Sequence, residues 1–388
     1  MLGLGSRNVR SAVLASGLLV LAACGNSSSS HGAADSAHAA GQGGLNVYNW
    51  SDYVAPDTVA NFQAASGIHV NYEVYSSNTV LDQKLTDKVG DYDVVFPSAR
   101  PYAQNQIAHG LLAKLDKSKL PNLKNLDPET LQALQSVDPG NAYLVPYLWG
   151  TTGLGVNVTQ VKAALGEGAD LDSWTLLFDP EKARKLSACG IGVLDDDLEG
   201  HGAALIAKGR SPNDQTDADM SVVRDAYAAI RPHIRKFGHS NELIDDLASG
   251  ALCLVLTYSG DVSQAIAKAE EANPDGHDEI RYVIPREGAL RWMDVVAIPA
   301  NAPHADAAHA FINYLLEPKV IADITNVVAY ANANAAATAL IDKSISSDPG
   351  IYPPPHVAAK LSDSEATTAE QVEKRKTNWH RIVYALMF

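Results

Sequence analysis

Carboxylates and aromatic rings recur side by side in this chain. "NWSDY" sets Trp50, Ser51, Asp52 and Tyr53 together, "TYSGD" puts Tyr258 three residues before Asp261, and "RWMD" puts Trp292 two residues before Asp294. Oxygen acceptors beside ring faces suit an organic positive charge: carboxylates accept its hydrogen bonds, and each good ring contact attracts it by about 0.5–2 kcal/mol. Every cluster also has a plainer reading. Asp52 and Asp261 each stand where a helix N-cap would stand. Asp294 shares a strand face with Trp292, Val296 and Ile298, and a carboxylate buried there needs either a cation or a partner such as an internal Arg or backbone amides. Glu199, in "LDDDLEGHG", stands among loop charges that are usually solvated. Trp50, Tyr53, Tyr258 and Tyr330 suit a core or rim as well as a ligand wall.

The elements that must position these residues alternate along the chain. "GIHVNYEVY", "YDVVFPSA", "AYLVPYLWG", "TGLGVNV", "ALCLVLTYSG" and "RWMDVVAIP" read as strands. "TVANFQAAS", "NTVLDQKLTDKV" with Val80, Leu81, Leu85 and Val89 at near-helical spacing, "VVRDAYAAIRPHI", "DVSQAIAKAEEA" and "ADAAHAFINYLLE" read as helices. Alternation of this kind predicts α/β layers with mainly parallel strands. Presumed strands end in the clusters Trp50 to Tyr53, Ser98, and Tyr258 to Asp261, and in open α/β sheets those ends border a shared crevice.

Residues 1–24 read as an export signal, with Arg7 and Arg10 before the apolar run "AVLASGLLVLAAC". Its end, "LAAC", resembles a bacterial lipobox, which would leave Cys24 as an acylated N-terminus; the alternative is ordinary cleavage nearby. Residues 25–44, rich in Ser, Gly and Ala, cannot bury enough surface to fold and read as a flexible tether. The formal charge is −15, or −17 once Arg7 and Arg10 are removed, which disfavours nucleic acid and anionic headgroups as partners. Cys189 and Cys253 form one disulfide in an oxidising compartment or remain two buried thiols.

Catalytic signatures are missing. Asp195, Asp196, Asp197, Glu199 and His201 lack the spacing of a calcium loop, and the sequence has no His-Glu-x-x-His and no Gly-x-Ser-x-Gly. "TTGLGVNV" holds only part of a dinucleotide fingerprint. The expectation is a protein that is not an enzyme and carries no cofactor and no metal.

Taken together, the stretches "YNWSDYVAPDTVANF", "YDVVFPSA", "LDKSKLPNLKNLDP", "VPYLWGTTGLGVNV", "DSWTLLFDPEKARKLSACGI", "GDVSQA", "IPREGA", "MDVVAIPA", "INYLLEP", "YANANAAAT" and "DPGIYPP" resemble the periplasmic polyamine-binding proteins of ABC importers, which carry putrescine or spermidine. The resemblance runs from Leu45 to about Lys360. It implies an α/β fold of two lobes, the type II periplasmic-binding-protein architecture, with hinge strands between them. The body would be residues 45–388, one lobe holding about 45–147 and 277–325 and the other about 148–276 and 326–388. By the same resemblance Trp50, Tyr258, Trp292 and Tyr330 surround a methylene chain, and Ser51, Tyr53 and Ser98 add polar contacts. Asp52, Glu199, Asp261 and Asp294 match the acidic positions that hold ammonium groups.

The chain departs from the putrescine binders it resembles. Tyr258 stands where they usually have Trp, Trp292 where they have Phe, and Asp196 where they have a small residue. Arg100 stands where Ser or Tyr is common, and would repel a cation unless it pairs with an acid such as Asp196. The implied role is a monomer on a lipid anchor in the periplasm, handing its polyamine to an ABC permease in the inner membrane. A tethered sensor feeding a membrane signalling protein, or a binder of another small solute, would keep the same fold.

Overall fold

Leu45 and Val47 point into one apolar cluster with Phe62 and Phe311, and Tyr48 points into another with Tyr75, Leu81 and Tyr92. A strand buried on both faces is what a helix-covered parallel sheet requires. The computed structural model describes residues 44–87, 91–365 and 367–384. The signal with Cys24, the tether up to residue 43, and Val89 lie outside these residues. β1 (Leu45–Trp50) is central in a three-stranded sheet, with β2 (Val70–Tyr75) and β3 (Val94–Val95) parallel on either side. Between β1 and β2 runs α1 (Thr58–Ser66), which ends on Gly67 at φ +73, a left-handed cap that glycine adopts without strain. After β2, α2 (Asn78–Thr86) is capped by the Ser77 side chain, which accepts from the Val80 amide.

The second sheet is organised around one long strand. β4 (Val145–Asn157) takes up both "AYLVPYLWG" and "TGLGVNV", read from sequence as separate strands. The glycines within it are places of close approach. A Cβ on Gly150 would meet the Trp292 ring at 2.7 Å, and one on Gly153 would meet the Val283 carbonyl oxygen at 2.4 Å. Along the main path the order is β11 (Leu361–Asp363), β9 (Ala289–Val296), β4, β7 (Leu254–Tyr258), β5 (Ile191–Leu194) and β6 (Lys236–Gly238). β8 (Ile280–Val283) and β10 (Ala331–Asn332) also pair with β4. All four partners of β4 are antiparallel to it, while β5 is parallel to β6 and β7. The expected mainly parallel pairing therefore holds in the first sheet, and the second is mixed.

Among the apolar clusters of the described residues, the two largest lie one in each lobe. Val145, Tyr147 and Leu148 of β4 lie in the first, and Leu154 and Val156 in the second. β9 makes the reverse passage, with Leu290 in the second core and Val296 in the first. These two strands carry the chain between lobes. Val283 packs in the second core because β8 pairs with the far half of β4, and Val328, Tyr330, Ala333 and Ile341 pack in the first. Trp379, Ile382 and Val383 lie in the second core.

Five further helices bear on the site. α3 (Asp197–Ala207) and α4 (Asp217–Ile230) belong to the second lobe, and α4 starts before the stretch read from sequence because Thr216 and Asp219 form a capping box. α5 (Ser259–Ala272) follows β7 directly, α6 (Ala305–Leu315) covers the first core, and α7 (Ala369–Tyr384) closes the described chain. Cys189 and Cys253 are bonded, with their Cα atoms 5.5 Å apart, and so join the approaches to β5 and β7. Among the described residues no helix is long and apolar enough to cross a membrane.

Candidate functional site

A cleft of about 970 Å³ lies where strand ends of both lobes meet. Lining it from the first lobe are Trp50, Ser51, Asp52, Tyr53, Ser98, Arg100 and Tyr330, and from the second Asp196, Glu199 and Tyr258. Trp292 and Asp294, on the passing strand β9, line it as well. Twelve of the thirteen residues expected at a binding site, the two specificity positions included, are thus brought to one cavity. Asp261 is the exception.

Asp294 is the most organised group in the cleft. It is 4% exposed, and its Oδ2 accepts from the Tyr53 hydroxyl at 2.8 Å while its Oδ1 accepts from Ser98 Oγ at 2.6 Å. Its partners are hydroxyls, not the Arg or backbone amides of the plainer reading. Ser98 is itself held by Asn78, the first residue of α2. Asn78 Nδ2 donates to Ser98 Oγ at 2.9 Å, and the Ser98 amide donates to Asn78 Oδ1 at 3.0 Å. A carboxylate has about four lone-pair sites, so two remain open to a ligand donor. Burial raises the Asp294 carboxyl to about 7, although the Ser98 and Tyr53 hydrogen bonds pull it down.

Rings form one wall. Trp292 meets Tyr258 edge-on at a centroid distance of 5.4 Å and Tyr330 at 5.1 Å, and Tyr330 meets Tyr53 at 5.6 Å. Trp292 Nε1 is buried without a hydrogen-bond partner, so the residue offers its ring rather than its N–H. Gly150 leaves room for the Trp292 ring, and Gly260 does so for Tyr330, whose Cζ would lie 2.5 Å from an added Cβ. Trp50 is fixed separately, its Nε1 donating to the Phe96 carbonyl at 2.8 Å and its ring 4.7 Å from that of Tyr75.

Asp261 sits behind this wall, 3% exposed and outside the cleft lining. Tyr330 donates to its Oδ1 at 2.8 Å, and Thr257 and Ser240 donate to its Oδ2 at 2.7 and 2.8 Å. Burial raises its carboxyl against those donors. Asp261 therefore meets the cleft through the hydroxyls of Tyr330 and Ser240, both of which line it. It is not an N-cap, since Tyr258 holds that place and α5 begins at Ser259. Asp52 is no cap either: α1 is preceded by Asp57, and Asp52 stands at the exposed cleft rim with φ +53.

The second lobe supplies Asp196 and Glu199 from the start of α3. Asp196 is the N-cap, its Oδ1 accepting from the Leu198 and Glu199 amides at 2.9 and 3.1 Å. Glu199, 4% exposed and not a solvated loop charge, has an Oε2 with no partner. Burial, with Asp196 adding repulsion, pushes its carboxyl up to about 8; burial and Asp197 push Asp196 up to about 6. Arg100 donates to Ser136 Oγ and forms no ion pair with Asp196. Sequence reasoning missed Asn78, Tyr75, Ser240 and Tyr102, which also line or brace the cleft. For Asn78 a signal existed: "SSN" directly after an apolar strand and before a helical pattern marks a cap at a strand end. Among the described residues no group of three or more His, Cys, Asp or Glu side chains is arranged to hold a metal ion.

The arrangement offers unspent acceptor capacity on buried carboxylates beside a ring wall, within one cavity. Such a site takes up positive charge attached to apolar bulk.

Residues 57–353 match the family model of bacterial extracellular solute-binding proteins. The chain is 44% identical over 338 residues to the putrescine-binding periplasmic protein SpuD of Pseudomonas aeruginosa, covering 87% of this chain and 91% of that protein. It is 45% identical over 346 residues to the putrescine-binding periplasmic protein PotF of Escherichia coli, covering 89% and 92%. Among solved structures it matches a putative spermidine/putrescine ABC transporter protein from Listeria monocytogenes with a TM-score of 0.77 and 31% identity, covering 87% and 98%.

Proposed function

Because this chain belongs to the bacterial extracellular solute-binding proteins, and within them to the polyamine-binding periplasmic proteins of ABC importers, we propose that its cleft captures a polyamine, putrescine and/or spermidine, and presents it to an ABC permease. The two-lobe body is the type II periplasmic-binding fold. One observation carries the reading: Asp294 and Glu199, buried acids from different lobe elements, keep open acceptor sites in a cleft walled by Trp292, Tyr258 and Tyr330. A polyamine is apolar along its chain and charged at its nitrogens, so it answers both features.

Capture follows from differential binding. In the empty cleft, burial keeps a share of these carboxyls protonated; an arriving ammonium replaces the proton and satisfies the oxygen. Ligand contacts drawn from both lobes favour the closed form over the open one, which is what shifts the population. Asp294 and Glu199 hold ammonium groups, Trp292, Tyr258, Tyr330 and Trp50 pack along the methylenes, and Tyr53 and Ser98 orient Asp294. Ser51 and Asp52 act at the rim. Asp196 and Arg100 tune which amine fits. No chemical step is assigned to the protein, in keeping with relatives that are transport proteins.

The chain works in the periplasm as a monomer, acylated at Cys24 and tethered by the segment that follows. Calorimetric titration of the mature protein with putrescine, cadaverine, spermidine and spermine tests the reading. At least one amine binds saturably at one site and raises the melting temperature. No binding by any of the four overturns it.

A further inference from the structure

Asp195, Asp196 and Asp197 are consecutive, yet their carboxylates go three ways. Asp196 caps α3 and faces the cleft. Asp195 Oδ1 accepts from Trp379 Nε1 at 2.8 Å, and Asp197 Oδ2 accepts from Arg375 Nε at 2.6 Å. Both partners lie on α7, four residues apart and therefore on one face. The same helix grips α3 one turn further on, where Asn378 Nδ2 lies 2.9 Å from His201 Nε2. The Trp379 ring lies against Gly200 so closely that a Cβ there would be 2.2 Å from it. The turn that aims Asp196 and Glu199 into the cleft is thus pinned from behind by a helix nearly 180 residues away in sequence.

Arg375 is the unusual member of this contact. It is 2% exposed and does not line the cleft, and its Nη1 and Nη2 are buried without hydrogen-bond partners. Burying a guanidinium is costly unless nearby negative charge compensates it. One hydrogen bond to Asp197 is a small return for a group with five donors. Asp197 supplies the leading compensation, and the cleft acid Asp196 in front adds to it.

Resting on the reading of the cleft as an amine site, we propose that Arg375 is a positioning residue for polyamine capture, holding the Asp195–Glu199 turn from behind so that Asp196 and Glu199 meet a ligand ammonium as carboxylates. Its charge pulls down the carboxyls of both Glu199 and Asp196, against the burial and the neighbouring acids that push them up. Other charged or titratable groups face the cluster too. Asp197 raises Asp196, and Asp294 raises Glu199. Tyr102, from the first lobe, is held neutral by burial. His201 is pushed down to about 4 by burial and by Arg375, so it stays neutral. Arg224 of α4 is engaged by Asn378, with its Nη1 donating at 2.6 Å. Among the described residues Arg375 is the one cation bonded to an acid of this turn.

The test is the pH dependence of putrescine affinity in the mature wild-type protein and in Arg375→Met, Arg375→Lys and Trp379→Phe, with melting curves alongside. Without the guanidinium, Glu199 and Asp196 hold their protons to higher pH. In Arg375→Met the acid limb of the binding profile moves up by about one pH unit, a loss of about tenfold in affinity where the limb is steep. Arg375→Lys restores part of that shift, and Trp379→Phe lowers the melting temperature with the limb unmoved. If Arg375→Met does not fold, Arg375→Lys is read for a smaller displacement in the same direction, and Asp197→Asn, which removes an acid that raises Asp196, for a displacement the other way. A limb that stays in place while only stability changes makes Arg375 a structural residue and overturns the inference. A wild-type protein that binds no amine instead overturns the functional reading beneath it.

Discussion

The phenol of Tyr53 donates to Asp294 Oδ2 at 2.8 Å across 241 residues of sequence. One residue follows the first strand of the body and the other rides the strand that returns between the lobes. Their meeting joins the two aromatic-acid clusters into one site. The bond also orients a buried carboxylate without using up its acceptor capacity.

Replacing Asp294 with Asn separates binding from stability. Affinity for the preferred amine should fall by about 2–5 kcal/mol, the usual cost of removing one partner from a buried charge pair. The empty protein should gain stability at neutral pH. Its carboxyl titrates near 7 when folded and near 3.9 when unfolded, so the unfolded chain releases the proton first and stability drains as pH rises through that window. Asn removes the drain. Denaturant melts and calorimetry on the same samples check both signs, and an affinity loss under tenfold would reduce Asp294 to a rim role.

Binding should weaken as pH falls. The free-cleft carboxyls sit at about 7 for Asp294, about 8 for Glu199 and about 6 for Asp196. An ammonium needs the ionised form, so affinity drops from pH 8 toward pH 5, and proton release accompanies binding at neutral pH. Titrations in two buffers of different ionisation enthalpy read the released protons. A flat profile down to pH 5 would contradict this.

Much of this site was legible in the sequence. The clusters at Trp50–Tyr53 and Trp292–Asp294 stand out as acids beside rings, and strand alternation puts Asp294 on the face with Trp292, but their grouping into one ligand shell rests on the family resemblance. What stayed hidden depended on long-range pairing. The two stretches read as separate strands are one β4, whose Gly150 and Gly153 give room to Trp292 and the Val283 carbonyl. Asp261 looked like a direct ammonium contact, and only the hydroxyls of Tyr330, Thr257 and Ser240 around it reveal its place behind the wall. Burial, which only the folded structure reveals, is the larger cause of the raised carboxyls of Asp294 and Glu199.

The Trp292 ring, rather than its N–H, should carry that residue's contribution. Its Nε1 has no partner, so Trp292→Phe should cost at most about 1 kcal/mol of affinity, and Trp292→Ala more, because a ring contact with a cation contributes about 0.5–2 kcal/mol before lost packing is counted. Isothermal titration of both variants with the same amine distinguishes them. Equal losses would mean that the N–H matters.

The Cys189–Cys253 bond closes a sequence separation of 64 residues. In the chain-entropy account such a link stabilises by about 4 kcal/mol. Replacing both cysteines with Ser should lower the urea midpoint accordingly and leave amine affinity within about twofold, because additivity holds for well-separated sites and neither residue lines the cleft. A large affinity loss would show that the β5–β7 edge helps to shape the site.

The most direct measurement is a crystal structure of the mature protein grown with putrescine or spermidine. One ligand nitrogen should lie within hydrogen-bond reach of Asp294 and another near Glu199, with the methylenes against Trp292 and Tyr258. An amine found outside this cleft, or lying in it with Asp294 and Glu199 turned away from both nitrogens, would contradict the account.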